Sequence, residues 1–391
     1  HEMREEIIEK VNAGISEAGY DAILVFGYDN VQYLSGAYLH FPQSFPDRYM
    51  AVFWTKDEPA TCVLPHEWES SFLNLSWINK TRTYNEKPGS PSGIVEAAVH
   101  IAKNTVRKTG RIGIDVNRTP LNVYNRLKGA LEDFELVPCD DLLRELRLRK
   151  TPQELKLLDE VVSKNDQSIA GHAHHILVLQ ANGEMNITEG IRTHAIEREL
   201  DEVGHQAIAQ AVSEPNMKTW WPSAPMFGIG LDKKPLQREW LRMELVSTVN
   251  GYWSNGVRML SMDDPTDEMK EDYQSLVTLR EAAREALKPG AKASDVYSAV
   301  KATADENEIK LESKVTLGAG IGASNYEPPY ISAADETELE PGMIIVFAPA
   351  IRDAKDNLLM AKDTFIITEE GNKLIGWWKD WREPFIANYT Y

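Results

Sequence analysis

Apolar residues in the first half of the chain recur first at helical spacing and then in short runs. Ile7, Val11 and Ile15 lie on one face of a predicted helix over residues 4–18. The short runs that follow are typical of buried strands, and segments of helical periodicity separate them. This alternation predicts an α/β domain with a largely parallel or mixed sheet. The predicted strands cover residues 21–26, 49–54, 60–64 and 111–115, and the predicted helices cover 92–109 and the segment after Pro120.

The second half has longer periodic segments. Thr151 precedes a proline that suits the first position of a helix, and the pattern predicts a helix over residues 151–180. Long strands and three further helices follow, which indicates an α+β domain. We therefore predict two domains, 1–143 and 144–391. The predicted strands are 206–212, 240–249, 251–260, 343–350 and 363–368, the helices 188–203, 266–287 and one from Ser294, and residues 220–235 are a predicted loop.

Charge and cysteine content narrow the possible functions. The formal net charge is −18 and the pI is about 5.0, which disfavours nucleic acid and anionic membrane surfaces as partners. Cys62 and Cys139 are too few for a disulfide framework, so we expect two buried thiols. Neither a membrane-spanning run nor a signal-peptide pattern is evident, and we predict a cytoplasmic protein.

Four segments of the second half resemble, in order and spacing, the motifs of one superfamily. They begin at Arg242 (RMELVSTVNGYWSNGVRM), Leu317 (LGAGIGASNYEPP), Leu339 (LEPGMIIVFAP) and Ala361 (AKDTFIIT). These segments are similar to the motifs of the creatinase, prolidase and methionine aminopeptidase superfamily, whose catalytic domain has the pita-bread fold. The resemblance implies a creatinase-type α/β N-terminal domain with a mixed sheet, followed by an α+β pita-bread domain.

The resemblance also implies a chemistry for which this chain lacks the usual residues. Relatives bind two divalent metals through two Asp, one His and two Glu, and the metals activate a water molecule. The corresponding positions here are Glu244, Asn255, Ala319, Ala348 and Lys362. Alanine provides no ligand atom and an ammonium group repels a cation, so we predict no metal and no cofactor.

The remodelled positions suggest other roles. Lys362 and Glu244 are expected to pair where the metals would lie. Glu244, Glu327, Lys362 and Tyr326 are the acid–base candidates. Without histidine after His205, the mechanism of creatinase does not transfer by residue identity.

Aromatic residues near these positions favour a small cationic ligand; the alternative is that they cover the core or a dimer interface. Asn255, Trp253 and Phe227 are the candidate substrate-binding residues, and Trp faces beside carboxylates suit a cation. Arg48 in the N-terminal domain is a candidate partner for a substrate carboxylate. An ordinary surface ion pair is the alternative for Arg48. The resemblance implies a homodimer.

Three functions are compatible with these residues. The first is a metal-independent hydrolase that cleaves a C–N bond of a small amidine, cyclic amidine or amide, as creatinase and ectoine hydrolase do. The second is an inactive protein of the same fold that binds a peptide or a small cationic metabolite. The third is an Xaa-Pro dipeptidase or aminopeptidase with atypical ligands.

Overall fold

The computed structural model describes residues 2–39, 41–85, 90–181, 207–218, 220, 238–312 and 316–388. The chain forms two compact units, His1–Gln153 and Glu154–Tyr391. Phe227, the helix predicted to follow residue 188 and most of the loop predicted at 220–235 lie outside the described residues. No helix within the described ranges combines the length and the apolar character that crossing a bilayer requires.

The first unit is an α/β domain with a mixed sheet, as predicted. Its six strands have the order β4-β3-β2-β1-β5-β6. Strand β2 is antiparallel to β1 and to β3, whereas β4 runs parallel to β3, and β5 and β6 extend the other edge in parallel. The strands are β1 (Ala22–Val25), β2 (Ala51–Trp54), β3 (Thr61–Pro65), β4 (Lys80–Tyr84), β5 (Arg111–Ile114) and β6 (Glu135–Pro138).

Helices cover this sheet because their apolar faces match its buried strands. Ile94, Ala98 and Ile101 share one face of the fourth helix and pack in the core with Leu24 of β1. Cys62 and Cys139 are free and buried, as predicted. The helices are α1 (Glu2–Glu17), α2 (Tyr28–Ser35), α3 (Glu69–Leu75), α4 (Ser92–Thr105), α5 (Leu121–Ala130) and α6 (Asp140–Leu148).

The second unit is the predicted α+β domain, and it contains two main sheets in its described part. One sheet has the strand order β17-β9-β8-β7 and the other has β11-β10-β12-β15-β16, while β13 and β14 form a separate pair. The helices are α7 (Pro152–Ala181), α8 (Asp267–Ala286) and α9 (Ala293–Glu306). The strands are β7 (Ala207–Pro215), β8 (Glu239–Val249), β9 (Tyr252–Met262), β10 (Gly318–Gly320), β11 (Glu327–Tyr330), β12 (Ile344–Phe347), β13 (Ala350–Arg352), β14 (Leu358–Met360), β15 (Asp363–Thr368), β16 (Gly371–Ile375) and β17 (Phe385–Ala387).

Local sequence explains several element ends in this unit. Thr266 caps α8, and its hydroxyl accepts a hydrogen bond from the backbone N–H of Met269 at 3.2 Å. Asn250 and Gly251, both with positive φ, form the turn between β8 and β9. The turn fixes the pairing of these long strands, on which three of the candidate site residues lie: Glu244, Trp253 and Asn255.

Candidate functional site

The β8–β9 hairpin presents Glu244 and Asn255 on one face. Glu244 pairs with Val257, and Val246 pairs with Asn255. Because side chains alternate between faces along a strand, Glu244 and Asn255 are diagonal neighbours on the same face. The hairpin therefore brings together the first two of the five predicted positions.

Glu244 is tied to an arginine of its own strand. The Nε of Arg242 lies 3.0 Å from Oε1 of Glu244, and both side chains are almost fully buried. The same guanidinium group donates to the carbonyl of Trp220 at 2.9 Å. The carboxylate that was expected to pair with Lys362 is thus held in an ion pair with Arg242.

Lys362 lies next to Asn255 at the point where β15 approaches β9. The backbone N–H of Lys362 donates to the carbonyl of Val257 at 3.2 Å. Its ammonium group donates to Oδ1 of Asn255 at 3.2 Å. Nδ2 of Asn255 in turn donates to Oδ1 of Asn325 at 3.1 Å. These contacts fix both the ammonium group and the direction of the Asn255 amide.

Three surrounding effects determine the pKa of Lys362. Burial lowers this pKa most, because the charged form loses water, and the positive charge of Arg242 lowers it further. The negative charge of Glu244 acts in the opposite direction. Glu244 therefore stabilises the charged form of Lys362 through its negative charge, whereas the hydrogen bond of the ammonium group goes to Asn255.

Ala319 and Ala348 belong to strands, or directly follow a strand, of the sheet that contains β15. Ala319 is the middle residue of β10 and pairs with Val346 of β12, and Ala348 follows β12 directly. A side chain at Gly318 would come within 2.2 Å of the carbonyl oxygen of Val346, and one at Gly320 within 2.3 Å of that of Pro328. Glycine is therefore required on both sides of Ala319.

A cavity of about 360 Å³ brings four of the five predicted positions together. This volume is suited to a small organic ligand. Asn255, Ala319, Ala348 and Lys362 line the cavity, whereas Glu244 is not among the described lining residues. The other described lining residues are Trp220, Thr316, Gly318, Gly320, Asn325, Tyr326, Val346 and Met360.

Of the remaining predicted site residues that the structure describes, Tyr326 is a cavity-lining residue, whereas Glu327, Trp253 and Arg48 are not among the described lining residues. Tyr326 lines the cavity, is 55% exposed, and shares a short hydrogen bond with the hydroxyl of Thr316. Glu327 begins β11 and is buried, and neither it nor Trp253 is among the described lining residues. Arg48, in the first unit, forms an ion pair with Glu67 at 2.6 Å.

The donor set at these positions does not fit a dinuclear metal centre. Within the described ranges, no group of three or more His, Cys, Asp or Glu side chains is placed to hold a metal ion. The ammonium group of Lys362 faces the oxygen of Asn255 that would otherwise be available to a metal. Two alanines occupy positions from which relatives are expected to supply ligands, so the side chains present cannot hold the pair of metals.

A buried polar network behind Lys362 was not predicted from the sequence. Arg258 contacts Asp363 at 2.8 Å and donates to the carbonyls of Lys362 and Trp378, each at 2.6 Å. Asp166 of α7 accepts hydrogen bonds from the backbone N–H groups of Trp377 and Trp378, at 2.8 and 3.0 Å. Burial raises the pKa of Asp166 to about 6, and the positive charge of Arg258 opposes this rise.

These network residues adjoin the candidate site. Asp166, Arg258 and Lys362 together line a second, small cavity of about 10 Å³, which has room for about one water molecule. The sequence feature that could have predicted this network is the alternation of side chains between the two faces of β9 and β15. Arg258 and Asp363 each follow a residue on the opposite face, so both point away from the larger cavity.

Both halves of the chain are similar to known protein families. Residues 166–369 match the model of metallopeptidase family M24, and residues 7–149 match the creatinase/prolidase N-terminal domain. The chain is 23% identical over 376 residues to an Xaa-Pro dipeptidase of Pyrococcus horikoshii, covering 95% of this chain and 97% of that protein. It is 22% identical over 359 residues to a Bacillus creatinase, covering 86% and 80%.

A solved structure has the same fold along almost the whole chain. It is an X-Pro aminopeptidase from Thermotoga maritima, with a TM-score of 0.79, 18% identity, and coverage of 97% of this chain and 99% of that one. The pita-bread architecture and the two-domain organisation expected from the four motifs are confirmed.

Proposed function

We propose that this chain, which belongs to metallopeptidase family M24, is a hydrolase that cleaves a C–N bond of a small substrate in the 360 Å³ cavity. The proposal includes hydrolysis without the pair of metals that the family name implies. It keeps the family's reaction type and assigns the role of the metals to this chain's own residues.

The ammonium group of Lys362 is the observation that carries the proposal. It lies on the wall of the cavity, where the motifs place the last glutamate ligand of relatives, and Asn255 fixes it from one side. A positioned cation that donates hydrogen bonds to a substrate oxygen stabilises the negative charge that develops as water attacks the carbonyl. Lys362 therefore supplies the electrophile that metals supply in relatives.

Proton transfer to the leaving nitrogen needs a further group. Tyr326 lines the cavity, and its hydroxyl is hydrogen-bonded to the hydroxyl of Thr316. In the proposed reaction, the oxygen of water adds to the carbonyl carbon and the C–N bond breaks. One proton of this water passes through the hydroxyl pair to the leaving nitrogen, so the products are a carboxylic acid and an amine. Glu244 acts at a distance by sustaining the charge of Lys362.

The relatives support one substrate class over another. The Pyrococcus protein is named an Xaa-Pro dipeptidase, and the M24 match covers most of the second unit. This favours an amide bond to proline over the amidine or cyclic amidine that we predicted first. Creatinase remains among the relatives, so a guanidine-type substrate belongs in the same panel.

A second candidate function is ligand binding without turnover. The observation that favours it is the position of the acids: Glu244 is paired with Arg242, and Glu327 is buried outside the described lining. A hydrolase without a carboxylate at its substrate has few groups that can activate water.

Turnover by purified protein tests the proposal. The panel contains Xaa-Pro dipeptides, creatine and cyclic amidines, assayed with and without EDTA after metal analysis by mass spectrometry. We expect hydrolysis of an Xaa-Pro dipeptide that EDTA does not reduce, and a loss of about 10²-fold or more in kcat for Lys362→Met, comparable to removing one oxyanion donor.

The matched control is Lys373→Met, which removes an exposed lysine of β16. It should leave kcat unchanged. Activity that disappears with EDTA and returns with added metal would refute the metal-free mechanism. The absence of turnover across the panel, together with ligand binding, would favour the second candidate.

A further inference from the structure

The charge on the described part of the cavity wall is opposite to the one expected from the sequence. Trp faces and carboxylates predicted a cationic ligand, but Glu244 and Glu327 are not among the described lining residues. Among those residues, Lys362 is the only one with a charged side chain. The described part of the wall is therefore positive.

The hydrogen-bonding groups next to Lys362 reinforce this polarity. An ammonium group has three N–H donors, and Asn255 accepts one of them. The amide of Asn255 directs its oxygen at Lys362 and its nitrogen at Asn325. The acceptor of Asn255 is thus already used by the protein, whereas Lys362 retains donor capacity toward the cavity.

The rest of the described wall is mostly apolar. Trp220, Val346 and Met360 supply large apolar surfaces, and Ala319 and Ala348 leave space where relatives are expected to have longer side chains. A ligand that fits this wall has an apolar body and one acceptor group directed at Lys362. Contacts with an apolar wall exclude water and so strengthen the attraction between opposite charges.

We infer that the cavity selects a substrate that carries a carboxylate, with its apolar body against Trp220, Val346 and Met360. One N–H of the Lys362 ammonium group holds this carboxylate, and another donates to the scissile carbonyl oxygen. This inference deepens the proposed function and rests on it for the identity of the cavity as the substrate site. It excludes free amidines and guanidines, which are cations, and it accommodates the terminal carboxylate of a dipeptide.

The surroundings of Lys362 disfavour its charged form, and a bound anion would relieve this cost. Burial lowers the pKa of this group, and Glu244 partly offsets the effect. A bound carboxylate would act in the same direction as Glu244 and stabilise the charged form further.

A set of three ligands with one shared shape tests the inference by titration calorimetry at pH 7. The probes are N-acetyl-L-proline, its neutral carboxamide, and the corresponding primary amine. The native chain should bind the carboxylate at least tenfold more tightly than the carboxamide and should not bind the amine measurably. Lys362→Met should remove the preference, and Lys373→Met should retain it.

Charge reversal gives the sharpest result. Lys362→Glu should bind the amine more tightly than the carboxylate, and circular dichroism checks that each variant is folded. Should Lys362→Met or Lys362→Glu fail to fold, Lys362→Gln keeps the test decisive, because it removes the charge but keeps a polar end group and should lose the preference. Equal binding of carboxylate and carboxamide by the native chain, or no binding of all three probes, would overturn the inference.

These results separate the inference from the proposed function. Carboxylate selectivity without turnover of any substrate would retain the inference and refute the hydrolase. Hydrolysis of neutral or cationic substrates without carboxylate selectivity would retain the hydrolase and refute the inference.

Discussion

At the scale of single residues, burial decides the titration of Asp166. This carboxyl group is 6% exposed, and its pKa is raised from the ordinary value of 3.8 to about 6. The folded state therefore binds the proton more tightly than the unfolded state. The free energy of unfolding contains a contribution that is complete below about pH 4 and is lost as the pH rises to about 6.

Asp166→Asn is expected to remove this pH dependence. The amide oxygen still accepts hydrogen bonds from Trp377 and Trp378, and the group no longer titrates. Urea titrations at pH 4 and pH 7 should show that the native chain loses up to about 3 kcal/mol more than the variant over this interval, since two pKa units correspond to about 2.7 kcal/mol.

The control for this prediction is Asp264→Asn, which changes an exposed carboxyl group. Its profile should follow that of the native chain. Parallel profiles for the native chain and Asp166→Asn would contradict the assignment of the raised pKa to Asp166.

Single residues also mark the limit of what the sequence could predict at the site. The motifs located Asn255, Ala319, Ala348 and Lys362, and the structure brings these four to one cavity. The motifs did not predict the Arg242–Glu244 ion pair, although residues i and i+2 of a strand share a face. The competition between Arg242 and Lys362 for Glu244 depends on three-dimensional distances, which spacing does not supply.

At the scale of elements, Arg258 connects β9 to the beginning of β15. Its guanidinium group contacts Asp363 at 2.8 Å and the backbone carbonyl of Lys362 at 2.6 Å, and Arg258 and Asp363 are both buried. Asp363 also accepts from the indole N–H of Trp381 at 2.8 Å. The position of Lys362 depends on this connection.

Removal of the arginine alone should destabilise the fold strongly. Arg258→Met leaves the Asp363 carboxylate buried without its closest cation, which typically costs about 3–5 kcal/mol. The double variant Arg258→Met/Asp363→Asn removes both charges and should be less destabilised than the sum of the single changes. Urea unfolding of the four proteins measures this coupling, and strictly additive losses would contradict it.

The pattern predicted long elements with a continuous buried surface most closely. The helix predicted at 266–287 is Asp267–Ala286, and the strands predicted at 240–249 and 363–368 are Glu239–Val249 and Asp363–Thr368. Strands β4 and β6 were not predicted, because they form the two edges of their sheet and have only half-buried and exposed positions. An edge strand lacks the apolar run that makes a central strand visible in a sequence.

At the scale of the whole molecule, the lack of a suitable donor set among the described residues predicts a stability that does not respond to metals. A divalent ion that binds the folded state with a Kd of about 10 µM would add about 2.7 kcal/mol at about 1 mM, because stabilisation follows RT ln(1 + [L]/Kd). We expect no rise in Tm when Mn²⁺, Co²⁺ or Zn²⁺ is added at this concentration.

Differential scanning calorimetry with and without each ion makes the measurement, and Mg²⁺ at equal ionic strength controls for general salt effects. A rise of several degrees with one ion, abolished by Glu244→Gln, would contradict the prediction. A rise that persists in this variant would place the metal elsewhere.

Fold and family followed from motif order, and they are confirmed along almost the whole chain. The homodimer and the cytoplasmic location stay predictions. The substrate could not be predicted, because the sign of the cavity's charge depends on which polar side chains face inward. Glu327 and Lys362 come from different motifs, and of these two residues only Lys362 belongs to the described cavity wall.

The two glycines around Ala319 leave β10 a single variable position. Gly318 and Gly320 are each closed to a side chain by a backbone carbonyl within 2.3 Å of where a Cβ would be. Within β10, a side chain therefore fits without a backbone clash at residue 319, which lines the cavity. The backbone of β10 thus stays the same while the side chain at residue 319 can differ. In any protein with this backbone, one substitution at this position would change the chemistry of the cavity and leave the sheet unaltered.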